Sequence, residues 1–217
     1  MRFTCIKNLD AGLGIGVKVG DIIDFKQRGK EYVANDFVVG QIIIDEYFKE
    51  GIIMKSNDEL EALTEKWGAA RKITVNSNIP AQVIKFGEEM GELFIAETKD
   101  EIIDAIGEMT VVLVMIANLR GISISTCRKI NQTLSFVTKH HGHNRLLLLP
   151  AAYGQLCVAV SRNDNNSIPE IIANIIDVLE EVAVIGGINL NECWNHAYNE
   201  IKDRKGTLFE NGVFIKE

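Results

Sequence analysis

Glu88-Glu89-Met90-Gly91-Glu92 and, a few residues on, Asp100-Glu101-Ile102-Ile103-Asp104-Ala105-Ile106-Gly107-Glu108 lie in apolar-periodic sequence that reads as two successive helices. Glu88 and Glu92 fall at i and i+4, with Glu89 beside them, so the acids stack along one face. Glu101, Asp104 and Glu108 repeat that geometry at i, i+3 and i+7. Val83, Phe86 and Leu93, then Ile103, Ile106 and Val112, supply the apolar faces. Two apolar helices joined by a short turn must pack antiparallel, which sets their carboxylates facing each other across the seam. Carboxylates that close repel unless a cation neutralises them. Oxygen-only ligands suit Mg²⁺ or Mn²⁺, and Mg²⁺ held by carboxylates usually brings a polyphosphate with it. The competing reading is a solvated acidic face paired with Lys85 and Lys99. It accounts well for one such helix; two in succession, each beside a long apolar run, favour the cation site.

The flanking residues extend the pattern. Trp67-Gly68-Ala69-Ala70-Arg71 precedes a loop, Pro80-Ala81-Gln82-Val83-Ile84-Lys85-Phe86-Gly87 leads into the first acids, and Met109-Thr110-Val111-Val112-Leu113 follows the second. In this order they resemble the MazG-like nucleotide pyrophosphohydrolases, particularly the short phage-type members. The run Ala197-Tyr198-Asn199-Glu200-Ile201-Lys202-Asp203-Arg204-Lys205-Gly206 and the ending Asn211-Gly212-Val213-Phe214-Ile215-Lys216-Glu217 look like the tail of the same proteins. The likeness covers about residues 58–121 and 187–217. It departs from the family at the second acidic element: Glu108 stands at the position of the family's Asp, Ala105 stands where a Glu is common, and Glu101-xx-Asp104 matches the element literally but one turn earlier.

The resemblance implies a mainly α fold with a MazG-like four-helix-bundle core. It implies Mg²⁺-dependent (Mn²⁺ as substitute) hydrolysis of nucleoside triphosphates, in their deoxy forms above all, to monophosphate and pyrophosphate. Carried over residue by residue, it makes Glu89, Glu92, Asp104 and Glu108 metal ligands, with Glu88 or Glu101 as the base or a second-metal ligand. A carboxylate not committed to metal can take the proton of the attacking water. Gln82 belongs to the motif's substrate side, and Lys85, one turn from Glu88 and Glu89, can reach a phosphate or pair with Glu89 on the surface. Asn199, Lys202, Arg204 and Lys205 would hold phosphates or the base; the alternative for the basic ones is an ordinary helix end. Trp67 either stacks on the base or packs in the core.

The helical region also repeats itself. Gly121-Ile122-Ser123-Ile124-Ser125-Thr126-Cys127 matches Gly187-Ile188-Asn189-Leu190-Asn191-Glu192-Cys193 at an offset of 66, and Phe86–Leu93 pairs with Tyr153–Val160 at an offset of 67. On this pairing Glu88, Glu89 and Glu92 become Gln155, Leu156 and Ala159, so the second unit keeps the apolar pattern and loses the acids. That is what a packing partner looks like: two helical hairpins stacked into a four-helix bundle. We expect a catalytic unit over 58–139 and a degenerate unit over 147–205, followed by the tail. Relatives in this family need a partner hairpin, so either the second unit or a second chain in a homo-oligomer is expected to supply it.

With 217 residues, 47% of them apolar, there is room for one or two domains with a sizeable core. A formal charge of −7 argues against general nucleic-acid binding. No signal-peptide pattern follows Met1-Arg2-Phe3, and the apolar runs Met109–Leu119 and Leu146–Ala152 read as too short or interrupted to span a bilayer. Cys5, Cys127, Cys157 and Cys193 are widely spaced and read as reduced core residues of a cytoplasmic protein, in the host cytoplasm if phage-encoded.

Residues 1–55 differ from the rest: Gly12, Gly14, Gly16, Gly20, Gly29 and Gly40 punctuate short runs of Val, Ile and Phe, which predicts a small β-barrel-like, SH3-like domain for partner or oligomer contact. From residue 56 the chain reads as helices to about 72, then over 80–97, 100–120, 124–139, 147–162, 168–185 and 189–204. His140, His141 and His143 match no closed zinc site and read as an exposed linker. Two other classes fit the same residues: a catalytically silent nucleotide-binding protein of this fold, and a helical interaction protein with a solvated acidic stripe.

Overall fold

The computed structural model describes residues 54–130 and 145–216, together with six short strands among residues 2–50. The chain divides into two compact units, Met1–Asn57 and Asp58–Glu217. In the first, the described residues form short antiparallel strands. β1 (Arg2–Cys5) lies between β2 (Ile22–Asp24) and β6 (Phe48–Glu50), with Phe3 opposite Ile23 and Glu50. A second sheet runs in the order β3 (Lys26–Arg28), β4 (Glu31–Ala34), β5 (Phe37–Gly40), with Val33 opposite Lys26 and Val38. The barrel closure expected for residues 1–55 lies outside the described residues, as do His140, His141 and His143 and the expected helix beyond Ile130.

The second unit is mainly helical: α1 (Asn57–Ala70), α2 (Ile73–Asn76), α3 (Ile79–Ile95), α4 (Lys99–Leu119), α5 (Ile124–Ile130), α6 (Arg145–Ser161), α7 (Ile168–Ile185) and α8 (Leu190–Ile201), closed by a hairpin of β7 (Gly206–Leu208) and β8 (Phe214–Lys216). Local chemistry sets the boundaries. Asn78 caps α3 by accepting from the Ala81 N–H at 2.8 Å, and Pro80 sits in the first turn, where its missing donor costs nothing. Lys72 takes a left-handed φ of 61° and ends α1 at Ala70, slightly earlier than the periodicity predicts. α8 likewise stops at Ile201 instead of running on to residue 204.

α4 is the axis of the unit. Its residues from Ala105 to Ala117 are buried without a break, because α3, α8, α7, α5 and α2 all pack on it. At 21 residues it is long and apolar enough to cross a membrane, which corrects the shorter run read from Met109–Leu119. Its most apolar window is 78% buried in protein, as a core helix should be.

The α3–α4 hairpin packs on the α6–α7 hairpin, α3 against α6 and α4 against α7. The short third helices are exchanged: α8 packs mainly on α4, and α5 mainly on α7. Residues matched at the 66–67 offset occupy matching places. Gly121 and Gly187 both take left-handed φ values, 68° and 65°, where glycine carries no Cβ penalty. Ser123 and Asn189 then cap the helices that follow, and Cys127 and Cys193 are both fully buried. Phe86 and Tyr153, also paired at that offset, stack on each other with ring centroids 5.7 Å apart. Cys127, Cys157 and Cys193 are free thiols, and burial pushes Cys127 up to about 11 and Cys193 to about 12, away from reactivity.

Glu61, in the first turns of α1, is buried and accepts from the backbone N–H groups of Ile124 and Ser125 at the start of α5. Burial raises its pKa while those two bonds oppose the rise. Glu61→Ala should orphan both donors and cost about 1–2 kcal/mol. Urea unfolding measures this directly, and an unchanged midpoint would show that Ser123 alone caps α5.

Candidate functional site

α3 and α4 run side by side, and their facing residues open a cavity of about 90 Å³. Gln82, Lys85 and Glu89 line it from α3, Glu108 and Met115 from α4, and Trp67, Arg204 and Phe214 close it. The spacing on α3 explains the arrangement: Gln82, Lys85 and Glu89 recur at helical intervals of three and four, so they share one face.

Two acids and two bases meet there. Glu89 is 1% exposed, and the Lys85 ammonium lies 2.5 Å from its Oε1 and 3.0 Å from Glu88 Oε1. Beyond that ion pair, neither carboxylate oxygen of Glu89 meets a hydrogen-bond donor among the described residues. Burial pushes the Glu89 carboxyl up to about 8; Lys85 works against that shift and the neighbouring Glu108 carboxylate adds to it. Burial alone would lower Lys85, but its bonds and charges with Glu89 and Glu88 outweigh this and raise it. On the opposite wall, Arg204 Nη1 donates to Glu108 Oε1 at 2.9 Å, with both side chains largely withdrawn from solvent.

Other residues singled out by the sequence lie at the mouth or away from it. Asp104, nearly half exposed, is 3.7 Å from His196. Burial and the Glu108 charge raise its pKa, against His196 and Arg204. Glu88 and Glu92 are exposed on α3, and Glu92 does not line the cavity. Glu101 is not brought to the cavity. Its carboxylate accepts from the N–H groups of Glu97 and Thr98 at 2.8 and 2.9 Å, while Thr98 Oγ1 accepts from the Glu101 N–H. This is a capping box at the start of α4, and its bonds hold the Glu101 carboxyl below the ordinary range. Asn199, Lys202 and Lys205 are exposed around the end of α8, with Lys202 donating to Asn199 at 3.4 Å. Gln82 is buried and donates to Ser77 Oγ, which in turn donates to the Gly212 carbonyl of the tail.

Trp67 is a wall of the cavity whose indole N–H is already used: it donates to the Ile201 carbonyl at 2.7 Å, and Phe214 meets the ring edge-on at 6.0 Å. Arg71, one turn on, places its guanidinium 4.7 Å over the Trp67 ring and donates to the carbonyls of Lys202 and Arg204. In the sequence Arg71 stands out only as the end of the Trp67–Arg71 run. The available signal was its i, i+4 spacing from Trp67, together with the rule that the last carbonyls of a helix need donors from outside it. Those two side chains explain why α8 ends at Ile201: the turn after it is held by bonds to α1.

Among the described residues no group of three or more His, Cys, Asp or Glu is arranged to hold a metal ion. The donor set nonetheless fits Mg²⁺, which takes one or two carboxylates and completes its shell with water and phosphate oxygens. Glu89 and Glu108 are two such carboxylates on facing helices, and the buried Oε2 of Glu89, which carries no hydrogen bond while Oε1 pairs with Lys85, is the kind of atom a hard cation satisfies. No family model, curated protein or solved structure matches this chain.

Proposed function

We propose that the cleft between α3 and α4 hydrolyses nucleoside triphosphates, ribo or deoxy, to monophosphate and pyrophosphate with Mg²⁺, as the MazG-like resemblance implies. The observation that carries this reading is the meeting of two buried carboxylates, Glu89 and Glu108, with two cations, Lys85 and Arg204, around one cavity. Carboxylates suit a divalent ion and the flanking cations suit the polyphosphate that comes with it.

Glu89 and Glu108 would hold the ion; when bound, it neutralises phosphate charge and acidifies a coordinated water. Lys85 and Arg204 bind phosphate oxygens. Trp67, Met115 and Phe214 form an apolar wall that excludes bulk water and strengthens those charge interactions. Of the two acids expected as base, Glu101 is committed to its capping box. Glu88 stands at the mouth, 57% exposed and tethered to Lys85, free to accept a proton and pass it to solvent.

The test is pyrophosphate release from the common ribo- and deoxyribonucleoside triphosphates with Mg²⁺ or Mn²⁺, beside a Glu108→Ala control. We expect pyrophosphate and monophosphate from the active enzyme and neither from the control. Orthophosphate release would place the cleavage at another bond and overturn the reading. A second reading, a silent nucleotide-binding protein, is favoured by one observation: the first acid of the literal Glu101-xx-Asp104 element is spent on a helix cap. It predicts no turnover but a higher melting temperature with Mg²⁺ and nucleotide.

A further inference from the structure

We propose that Arg204 and a divalent cation are alternative partners of Glu108, so that the cleft takes a divalent cation–polyphosphate complex in preference to the bare cation. This rests on the reading of the cleft as a cation and polyphosphate site and adds an exchange step to it.

Four observations carry it. Arg204 already neutralises Glu108 through a charge-assisted bond of 2.9 Å, with the two side chains only 23% and 10% exposed. A divalent ion arriving at the same carboxylate meets a guanidinium with little water to screen it, so the two positive charges oppose each other there and compete for Glu108. The main chain beneath Arg204 is fixed independently, because Arg71 bonds the carbonyls of Lys202 and Arg204. The side chain can therefore swing while the turn stays in place. The cavity, about 90 Å³, has room for several waters but is far below the usual size of a nucleotide pocket, so a triphosphate seated in it displaces part of the wall. Arg204 is the charged member of the side that Trp67 and Phe214 close with it. Once released, its planar guanidinium suits two phosphate oxygens at once. A bare cation displaces Arg204 and leaves it without a partner; the complex displaces it and supplies one.

The test uses the full chain and two probes, Mn²⁺ alone and a preformed Mn²⁺–tripolyphosphate complex, titrated calorimetrically against wild type, Arg204→Gln, Arg204→Lys and Glu108→Gln. Wild type should bind the complex at least about tenfold more tightly than Mn²⁺ alone, the scale of one charge-assisted bond. Arg204→Gln should bind bare Mn²⁺ about tenfold more tightly than wild type and lose the preference for the complex. Arg204→Lys keeps the charge and should stay close to wild type toward bare Mn²⁺, which separates competition from a loosened tail. If wild type binds both probes equally, or if Arg204→Gln leaves Mn²⁺ affinity unchanged while Glu108→Gln abolishes it, the exchange is wrong and the cation site stands. If neither wild type nor Arg204→Gln binds Mn²⁺ in either form, the exchange and the cation site both fall.

Discussion

Glu89→Gln should sharply reduce turnover and, in the same protein, raise thermal stability above neutral pH. The two effects share one cause. Glu89 is 1% exposed, and burial pushes its carboxyl up to about 8 from an ordinary 4.5 despite the Lys85 ammonium beside Oε1. Its ionised form is therefore costly in the folded chain, which takes up a proton at Glu89 relative to the unfolded chain. Between about 4.5 and about 8 the folded state binds more protons than the unfolded one, so the Glu89 contribution to stability falls as pH rises and levels off above 8. Glutamine has nearly the same shape and no charge, and it removes that slope. It also removes one of the two carboxylates proposed to hold the cation, so kcat should fall by about two to four orders of magnitude. Metal-free thermal melts at pH 5 and pH 8 check the first half: the variant should match wild type at the lower pH and exceed it at the higher. Parallel pH slopes would mean that Glu89 is ionised without penalty. Full activity in the variant would remove Glu89 from the cation site.

Gly107→Ala should lower the melting temperature and impair the site without touching a charged group. A Cβ at residue 107 would lie 2.2 Å from the Cys193 carbonyl oxygen and 2.8 Å from the Ala197 Cβ. Those atoms are the backbone and the shortest side chain of α8, neither of which can rotate away. Alanine returns about 1 kcal/mol of helix propensity. Forcing two packed helices apart costs up to about 3 kcal/mol, the upper end for an overpacked core because the opposing atoms are backbone, so the clash wins. A net loss of about 2 kcal/mol lowers the melting temperature by roughly 4–8 °C in a chain of this length. Gly107 also stands directly before Glu108, and α8 leads to Arg204, so separating α4 from α8 should loosen the Arg204–Glu108 pair at 2.9 Å. Gly91→Ala is the matching control, since nothing lies within 4 Å of a Cβ there. Equal melting temperatures for the two variants would show that α4 and α8 tolerate separation.

Local rules recovered the elements that depend on neighbours in sequence. Pro80 in the first turn of α3 and the left-handed glycines at 121 and 187 follow from chemistry within a few residues, whereas Ser167, placed as a cap before α7, makes no capping bond. The 66–67 offset was also readable, and it brings Phe86 and Tyr153 face to face. The same rules misjudged ends that distant residues control. α8 stops at Ile201 because Trp67 and Arg71, more than a hundred residues earlier, take the carbonyls of Ile201, Lys202 and Arg204. Glu61 gave no sign in sequence that it would cap a helix starting at Ile124.

Among the acids, the sequence supplied the candidates and the fold sorted them. Glu88, Glu89, Glu92, Glu101, Asp104 and Glu108 are alike in spacing, and helical periodicity alone places them along one seam. Which of them lose their water depends on what packs over the seam. α8 and the tail cover Glu108 and bring Arg204 to it, Lys85 reaches across Glu89, and Glu92 is left exposed. Glu101, at the first turn of α4, finds free backbone donors at Glu97 and Thr98 and closes on them. The sequence by itself determined the helices and their apolar faces, because these follow from short-range periodicity and capping. Only the tertiary structure decided which carboxylates are buried, which cations meet them and where the cleft lies, because desolvation and charge pairing are set by neighbours distant in the chain.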